Sequence, residues 1–223
     1  MKQLPLPIAA PAAAGFDTFT TGANAAAVQH LQQLAPQAVP AYLWGASGSG
    51  KTHLLRALAA QRQQRGEQIA WFDDSTRPPW TLEPAHALLL LDRCDDFDES
   101  QQQAAFALLV NAQTHGVPWV AAGRVPPVDL PLREDLRTRL GWGPVFALHN
   151  LSEEQARGVL RRESDRRGIF LSDEVMDYLM TRFARDLTHL MTLLDQLDDF
   201  ALSEHRAVTV PLLKKMLLEQ AEA

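Results

Sequence analysis

Tyr42-Leu43-Trp44-Gly45-Ala46-Ser47-Gly48-Ser49-Gly50-Lys51-Thr52 decides the fold of this chain. The apolar run from Ala41 to Trp44 reads as a short buried strand. It enters Gly45-x-x-x-x-Gly50-Lys51-Thr52, after which Leu54, Leu55 and Leu58 recur at helical spacing. Strand, glycine loop and helix in that order form the context in which the pattern becomes a phosphate site rather than a glycine-rich surface turn. The glycines allow the backbone to wrap closely, so that successive N–H groups and the positive helix end converge on one anion. In such a loop Gly45, Ala46, Ser47, Gly48, Ser49 and Gly50 cradle the phosphates. Lys51 reaches the β- and γ-phosphates, and the Thr52 hydroxyl ligates Mg²⁺. The implied cofactors are ADP or ATP with Mg²⁺.

A loop of this kind needs an acid opposite it. Ala87-Leu88-Leu89-Leu90-Leu91-Asp92 is a continuous apolar run ending in a carboxylate, as a central parallel strand reads when it delivers an acid to the sheet edge where ligands bind. Asp92 is expected to hold Mg²⁺, directly or through water, opposite Lys51 and Thr52. The next position is Arg93, where many ATP-hydrolysing proteins place an acid that activates water; Asp95 and Asp96 read as a solvated cluster at a helix entry. Weak hydrolysis by the chain itself follows. Val117 to Ala122 reads as a further strand. Where a polar residue commonly meets the γ-phosphate, this strand ends in Ala122 and Gly123, with Arg124 after them.

Other strands are expected at Gln68–Phe72 and Val145–Leu148, and helices over about 51–64 and 99–114. Phe16 and Phe19 suit either the hydrophobic core or a place beside the nucleotide base. From Leu130 to Gly143 the chain reads Leu-Pro-Leu-Arg-Glu-Asp-Leu-Arg-Thr-Arg-Leu-Gly-Trp-Gly, a short basic helix that breaks at glycine. The composition changes at Asn150. Ser152-Glu153-Glu154-Gln155 is a capping box, and four amphipathic helices follow with no glycine after Gly168. The fold class is α/β, a P-loop core with a parallel β-sheet flanked by helices, plus a small all-α lid. The expected organisation is a tail over 1–14, a core over 15–149 and a lid over 150–223.

Composition narrows the function. The 223 residues carry 21 basic and 27 acidic side chains, a net charge of −6, which is not a surface built for phosphate-backbone affinity. A single cysteine, Cys94, excludes an intramolecular disulfide and reads as a small buried residue after a core strand. No run approaches the ~18 apolar residues of a membrane span, and prolines interrupt the amino-terminal stretch where a signal peptide would have its apolar core. A cytoplasmic protein without a membrane partner is expected. Within the tail, Gln3-Leu4-Pro5-Leu6-Pro7 sets two spaced leucines on a backbone stiffened in advance by proline, which lowers the ordering cost of docking.

The order of parts resembles the AAA+ core of the bacterial replication initiator DnaA: a P-loop core, Leu136-Arg137-Thr138-Arg139-Leu140-Gly141-Trp142-Gly143, and a helical lid containing Arg185-Asp186-Leu187. The resemblance covers nearly the whole chain from Phe16 onward and lacks the initiator's amino-terminal interaction domain and its carboxy-terminal DNA-binding domain. A stand-alone core of this kind resembles the regulatory inactivators of the DnaA-like AAA+ family. That resemblance implies that Gln3, Leu4, Pro5, Leu6 and Pro7 form the motif that docks on the DNA polymerase sliding clamp. It places Arg139 at the arginine-finger position, with Arg137 as the alternative, where a guanidinium stabilises charge on a γ-phosphate held by a neighbouring subunit. It places Arg185 at the lid position that contacts the nucleotide's phosphates. It implies an adaptor holding ADP, recruited by clamp on DNA, that stimulates hydrolysis of DnaA-bound ATP and so restrains initiation; DNA is met through the clamp, and self-association is left open. The alternative from another class is an autonomous AAA+ ATPase, such as a helicase loader or initiator paralogue acting on DNA. Arg93 and Ala122, departures from the initiator's pattern, count against it.

Overall fold

The computed structural model describes residues 14–35, 38–183, 187–204 and 206–222. The chain divides into two compact units, one ending at Asn150 and the other beginning at Leu151. In the first, helix α1 (Ala25–Gln32) leads to β1 (Ala41–Trp44), α2 (Lys51–Gln63), β2 (Gln68–Phe72), β3 (His86–Leu91), α3 (Glu99–Thr114), β4 (Trp119–Gly123), α4 (Glu134–Leu140) and β5 (Val145–Ala147). The five strands make one sheet in the order β2-β3-β4-β1-β5, every pair parallel.

Strand residues alternate between two apolar clusters, as the two-residue period of a strand requires. Tyr42, Leu89, Leu91, Trp119 and Ala121 face α3 and α4, meeting Leu108, Leu109, Leu136 and Leu140. Leu43, Leu88, Leu90, Val120 and Ala122 face α1 and α2, meeting Leu31, Leu54, Leu55 and Leu58. Helices therefore cover both sides of β3, which is why it reads as an unbroken leucine run rather than an alternating one. Phe16 and Phe19 lean on the second cluster, in line with their core reading. Cys94 is fully buried, and burial pushes its thiol pKa up.

One strand begins later than its sequence suggests. Val117, three residues past the end of α3, donates back to the Ala112 carbonyl of that helix, and Pro118 has no N–H to give a ladder. Regular pairing of β4 starts at Trp119 and extends through Gly123.

The second unit holds α5 (Glu153–Arg167), α6 (Asp173–Phe183), α7 (Leu187–Glu204) and α8 (Val210–Glu222). At the head of α5 the capping box is complete: Ser152 Oγ accepts from the Gln155 amide, and Gln155 Oε1 accepts from the Ser152 amide. Gly168 ends that helix at φ +72°, a left-handed cap that a side chain would oppose. Leu160, Val175, Met176, Leu179, Leu190, Leu194, Leu197 and Leu213 fill its interior. Among the described residues no helix is long and apolar enough to cross a membrane.

Candidate functional site

The glycine loop joins the carboxyl end of β1 to the start of α2, between β4 and β5. Gly50, at φ +93°, occupies the left-handed region. A Cβ there would meet Phe19 Cε2 at 2.6 Å, and one on Gly45 would run into the carbonyl oxygen of Leu148. Closeness of the flanking chain, as much as backbone angle, requires glycine at these two positions.

Lys51 opens α2 and turns back over the loop. Its Nζ donates to the carbonyls of Gly45 (2.7 Å) and Ala46 (2.9 Å) and lies 3.4 Å from Ser49 Oγ. The side chain is only 9% exposed. Burial lowers its pKa, opposed by Asp92 and Asp95. A buried ammonium satisfied by loop carbonyls is a cation ready to exchange those partners for an anion.

Thr52 Oγ1 donates to Asp92 Oδ2 at 2.6 Å, and Asp92 Oδ1 accepts from the Arg93 amide at 3.0 Å. Asp92 is 2% exposed; burial raises its pKa, and the Thr52 and Arg93 hydrogen bonds pull it back. The structure thus brings Gly45 through Thr52 and Asp92 to one end of the sheet. Closely wrapped glycines, a buried ammonium and a threonine–carboxylate pair fit a phosphate group with its divalent cation.

Arg93 joins this cluster through its backbone amide alone. Its backbone is left-handed (φ +52°), and its half-exposed side chain reaches away to Asp74 at 2.7 Å. Asp96 is exposed, as a solvated helix-entry acid should be, but Asp95 needs a correction. Asp95 is 6% exposed and accepts both the Nε and the backbone amide of Arg124, while Arg124 Nη2 pairs with Asp96. The expectation failed because the partner, Arg124, lies on another strand end, 29 residues away.

The bare end of β4 also has a physical cause. Any Cβ at Gly123 would collide with the Tyr42 hydroxyl, which comes from the neighbouring strand and donates to the Val125 carbonyl. Burial raises the pKa of that phenol, which stays protonated. Asn24 was equally invisible in the sequence. It is buried, and its side chain donates to and accepts from the His149 backbone, tying the entry of α1 to the chain leaving β5.

Arg139 stands apart from the loop. On α4 its guanidinium lies 4.4 Å from the Trp142 ring centroid and 5.4 Å from that of Phe106, and Nη1 bonds to Gln113 Oε1. Its Nε–H is buried with no acceptor. An open cavity of about 650 Å³ lies beside it, lined by Phe106, Arg133, Glu134, Asp135, Thr138 and Arg139. Arg185 and the segment Gln3 to Pro7 lie outside the described residues.

Comparison with known proteins gives this geometry a context. The family described as the bacterial DnaA ATPase domain matches residues 12–73, and the one described as the Hda lid domain matches residues 153–217. Among solved structures, domain III of the Thermotoga maritima replication initiation protein DnaA superposes with a TM-score of 0.77 at 18% identity, covering 94% of this chain and 97% of that one. AMPPCP-bound DnaA from Aquifex aeolicus gives 0.66 at 18% identity, over 84% of this chain and 66% of that one. The Thermotoga maritima RuvB Holliday junction branch migration motor gives 0.60 at 15%, over 85% of this chain and 64% of that one. At such identities the structural likeness is one of fold.

Proposed function

We propose that this chain, an Hda-like, DnaA-related AAA+ protein, is a nucleotide-binding adaptor that regulates a replication initiator by completing the initiator's ATPase site rather than by turning over ATP itself. In this reading the glycine loop takes the phosphates of ADP or ATP, with Lys51 on the β- and γ-phosphates. Thr52 and Asp92 would hold Mg²⁺ there, whose chemical contribution is to neutralise phosphate charge. DnaA structures of the same fold that carry AMPPCP support an adenine nucleotide here.

The observation that carries the proposal is the placement of Arg139. Its partners among the described residues are Phe106, Trp142 and Gln113, with none from the chain's own glycine loop. A half-buried guanidinium that borders an open cavity can still gain a strong partner, and a phosphate on a neighbouring subunit is the charge that an arginine finger stabilises. The water-activating position agrees: it holds Arg93 instead of an acid, and that side chain pairs with Asp74. Recruitment would come from Gln3 to Pro7 docking on the sliding clamp, with DNA met through that clamp, and Arg185 would contact the bound nucleotide's phosphates.

The test is ATP hydrolysis by DnaA in the presence of clamp-loaded DNA, with this chain added as wild type, Arg139→Ala, or Gln3→Ala/Leu4→Ala. Stimulation by wild type and its loss in both variants is the expected result. Steady ATP turnover by the isolated chain, with no effect on DnaA, would favour the autonomous ATPase instead.

A further inference from the structure

The nucleotide reading of the loop leaves one charged group beside it without a task. A short series of bonds leads to it. Lys51 Nζ donates to the Gly45 carbonyl, the Gly45 amide donates to the Gly123 carbonyl at 3.3 Å, and Arg124 is the next residue. The register sets Gly123 beside Trp44, so Arg124 leaves β4 at the level where the glycine loop begins. Asp95 reaches the same place from the end of β3, three residues after Asp92, with Oδ1 on the Arg124 amide at 3.0 Å. Both are near enough to bear on the Lys51 ammonium, Asp95 favouring its charge and Arg124 opposing it.

Two cations, Lys51 and Arg124, therefore share this end of the sheet with three carboxylates, Asp92, Asp95 and Asp96. The buried partner in the Arg124 cluster is Asp95; the arginine itself is 59% exposed and Asp96 40%. The Arg124–Asp96 pair, exposed on both sides, holds weakly, because water screens it and ordering the long side chain costs entropy. A terminal phosphate carries more charge than a carboxylate and accepts the guanidinium fork in the same bidentate way.

Building on the reading of the loop as a nucleotide site, we infer that Arg124 is a reserve cation for the terminal phosphate of a nucleoside triphosphate, held back by Asp95 and Asp96, and that this three-residue cluster sets the preference of the site between triphosphate and diphosphate. A diphosphate, one phosphoryl group shorter, leaves Arg124 with its carboxylates. A triphosphate must win it from them. Arg124 is a specificity-determining residue in this scheme and takes no part in breaking a bond.

The experiment measures Mg²⁺-ATP and Mg²⁺-ADP affinities by calorimetry for the full chain as wild type, Arg124→Gln, Arg124→Lys and Asp95→Asn, with a thermal melt of each as folding control. Arg124→Gln is expected to weaken ATP about tenfold and ADP less than twofold. Arg124→Lys, which keeps the charge without the fork, should fall between. Asp95→Asn keeps the acceptor for the Arg124 amide while releasing the guanidinium, and should raise the ATP-to-ADP affinity ratio severalfold. A purely structural ion pair would instead lower the melting temperature in all three variants and leave the ratio unchanged, which would overturn the inference. If wild type bound neither nucleotide, the reading of the loop itself would be overturned, a different failure from an unchanged ratio.

Discussion

Lys51 and Arg139 are two cations of one α/β unit with opposite surroundings. Lys51 is nearly sealed, 9% exposed, and folded back on the carbonyls of its own loop. Arg139 is partly open, stacked on Trp142 and Phe106 beside a cavity, with one N–H unsatisfied. A lysine's compact charge can be buried against backbone oxygens and exchanged for a phosphate. An arginine's planar fork rests on aromatic faces at little desolvation cost and keeps its edge free. Under the proposed function the contrast is a division of labour, in which one cation would serve the ligand of this chain and the other a charge brought by a partner.

Breaking the Arg139 side of the contrast should have the largest effect. Arg139→Ala is expected to lower stimulation of DnaA-bound ATP hydrolysis by about 10³-fold, while nucleotide affinity of the chain stays within twofold of wild type. Equal losses in both assays would erase the division. On the other side, Lys51→Ala should weaken nucleotide binding about ten- to a hundredfold, corresponding to one charge-assisted contact of about 1.5–3 kcal/mol, measured by displacement of a fluorescent nucleotide.

Asp92→Asn sharpens the picture of a site that trades stability for binding. A buried carboxylate whose pKa is raised by burial is a cost to the empty fold at neutral pH. Removing the charge should raise the melting temperature by on the order of 2 °C and weaken Mg²⁺-nucleotide binding. A lower melting temperature would show that the Thr52 contact outweighs the burial. Trp142→Leu tests the aromatic bed under Arg139. Loss of one partly exposed cation–π contact should cost about 0.5–1 kcal/mol in urea unfolding, and stimulation of DnaA should fall less than in Arg139→Ala.

The smallest effect is in pH. Burial lowers the Lys51 pKa below its ordinary 10.5, so the native chain releases that proton before the unfolded chain does. Between the lowered value and 10.5 the unfolded state binds more protons, and stability rises with pH. The nucleotide-free wild type should therefore gain on Lys51→Met in urea midpoint as pH approaches 10.5. A gap that stays constant from pH 7.5 upward would mean that the loop carbonyls compensate the ammonium fully.

What was legible in the sequence was local. The glycine loop, the strand before it, the Asp92 strand end and the α5 capping box each depend on residues within about a dozen positions of one another, and spacing along the chain is spacing in space at that range. Asp98 escaped notice for a different reason: its capping box with Gln101 is complete and local, but it sits among other acids that draw the eye as a charged cluster. Val117 and Pro118 show the limit at strand ends, where a missing donor moves a boundary that hydrophobicity alone does not mark.

By itself, then, the sequence determined an α/β core with a helical second unit, and it singled out Lys51, Thr52, Asp92 and Arg139 as candidate site residues. Tertiary structure alone decided what surrounds them. Arg139 meets Gln113 across 26 residues, Arg124 meets Asp95 across 29, and Asn24 meets His149 across 125. The strand order β2-β3-β4-β1-β5 sets β4 beside β1 and so brings Arg124 to the loop and the Tyr42 hydroxyl into the space a side chain at residue 123 would need. The Arg139 pair depends on α3 and α4 packing in one cluster on the same face, and the other two on which strand ends become neighbours; neither follows from spacing along the chain.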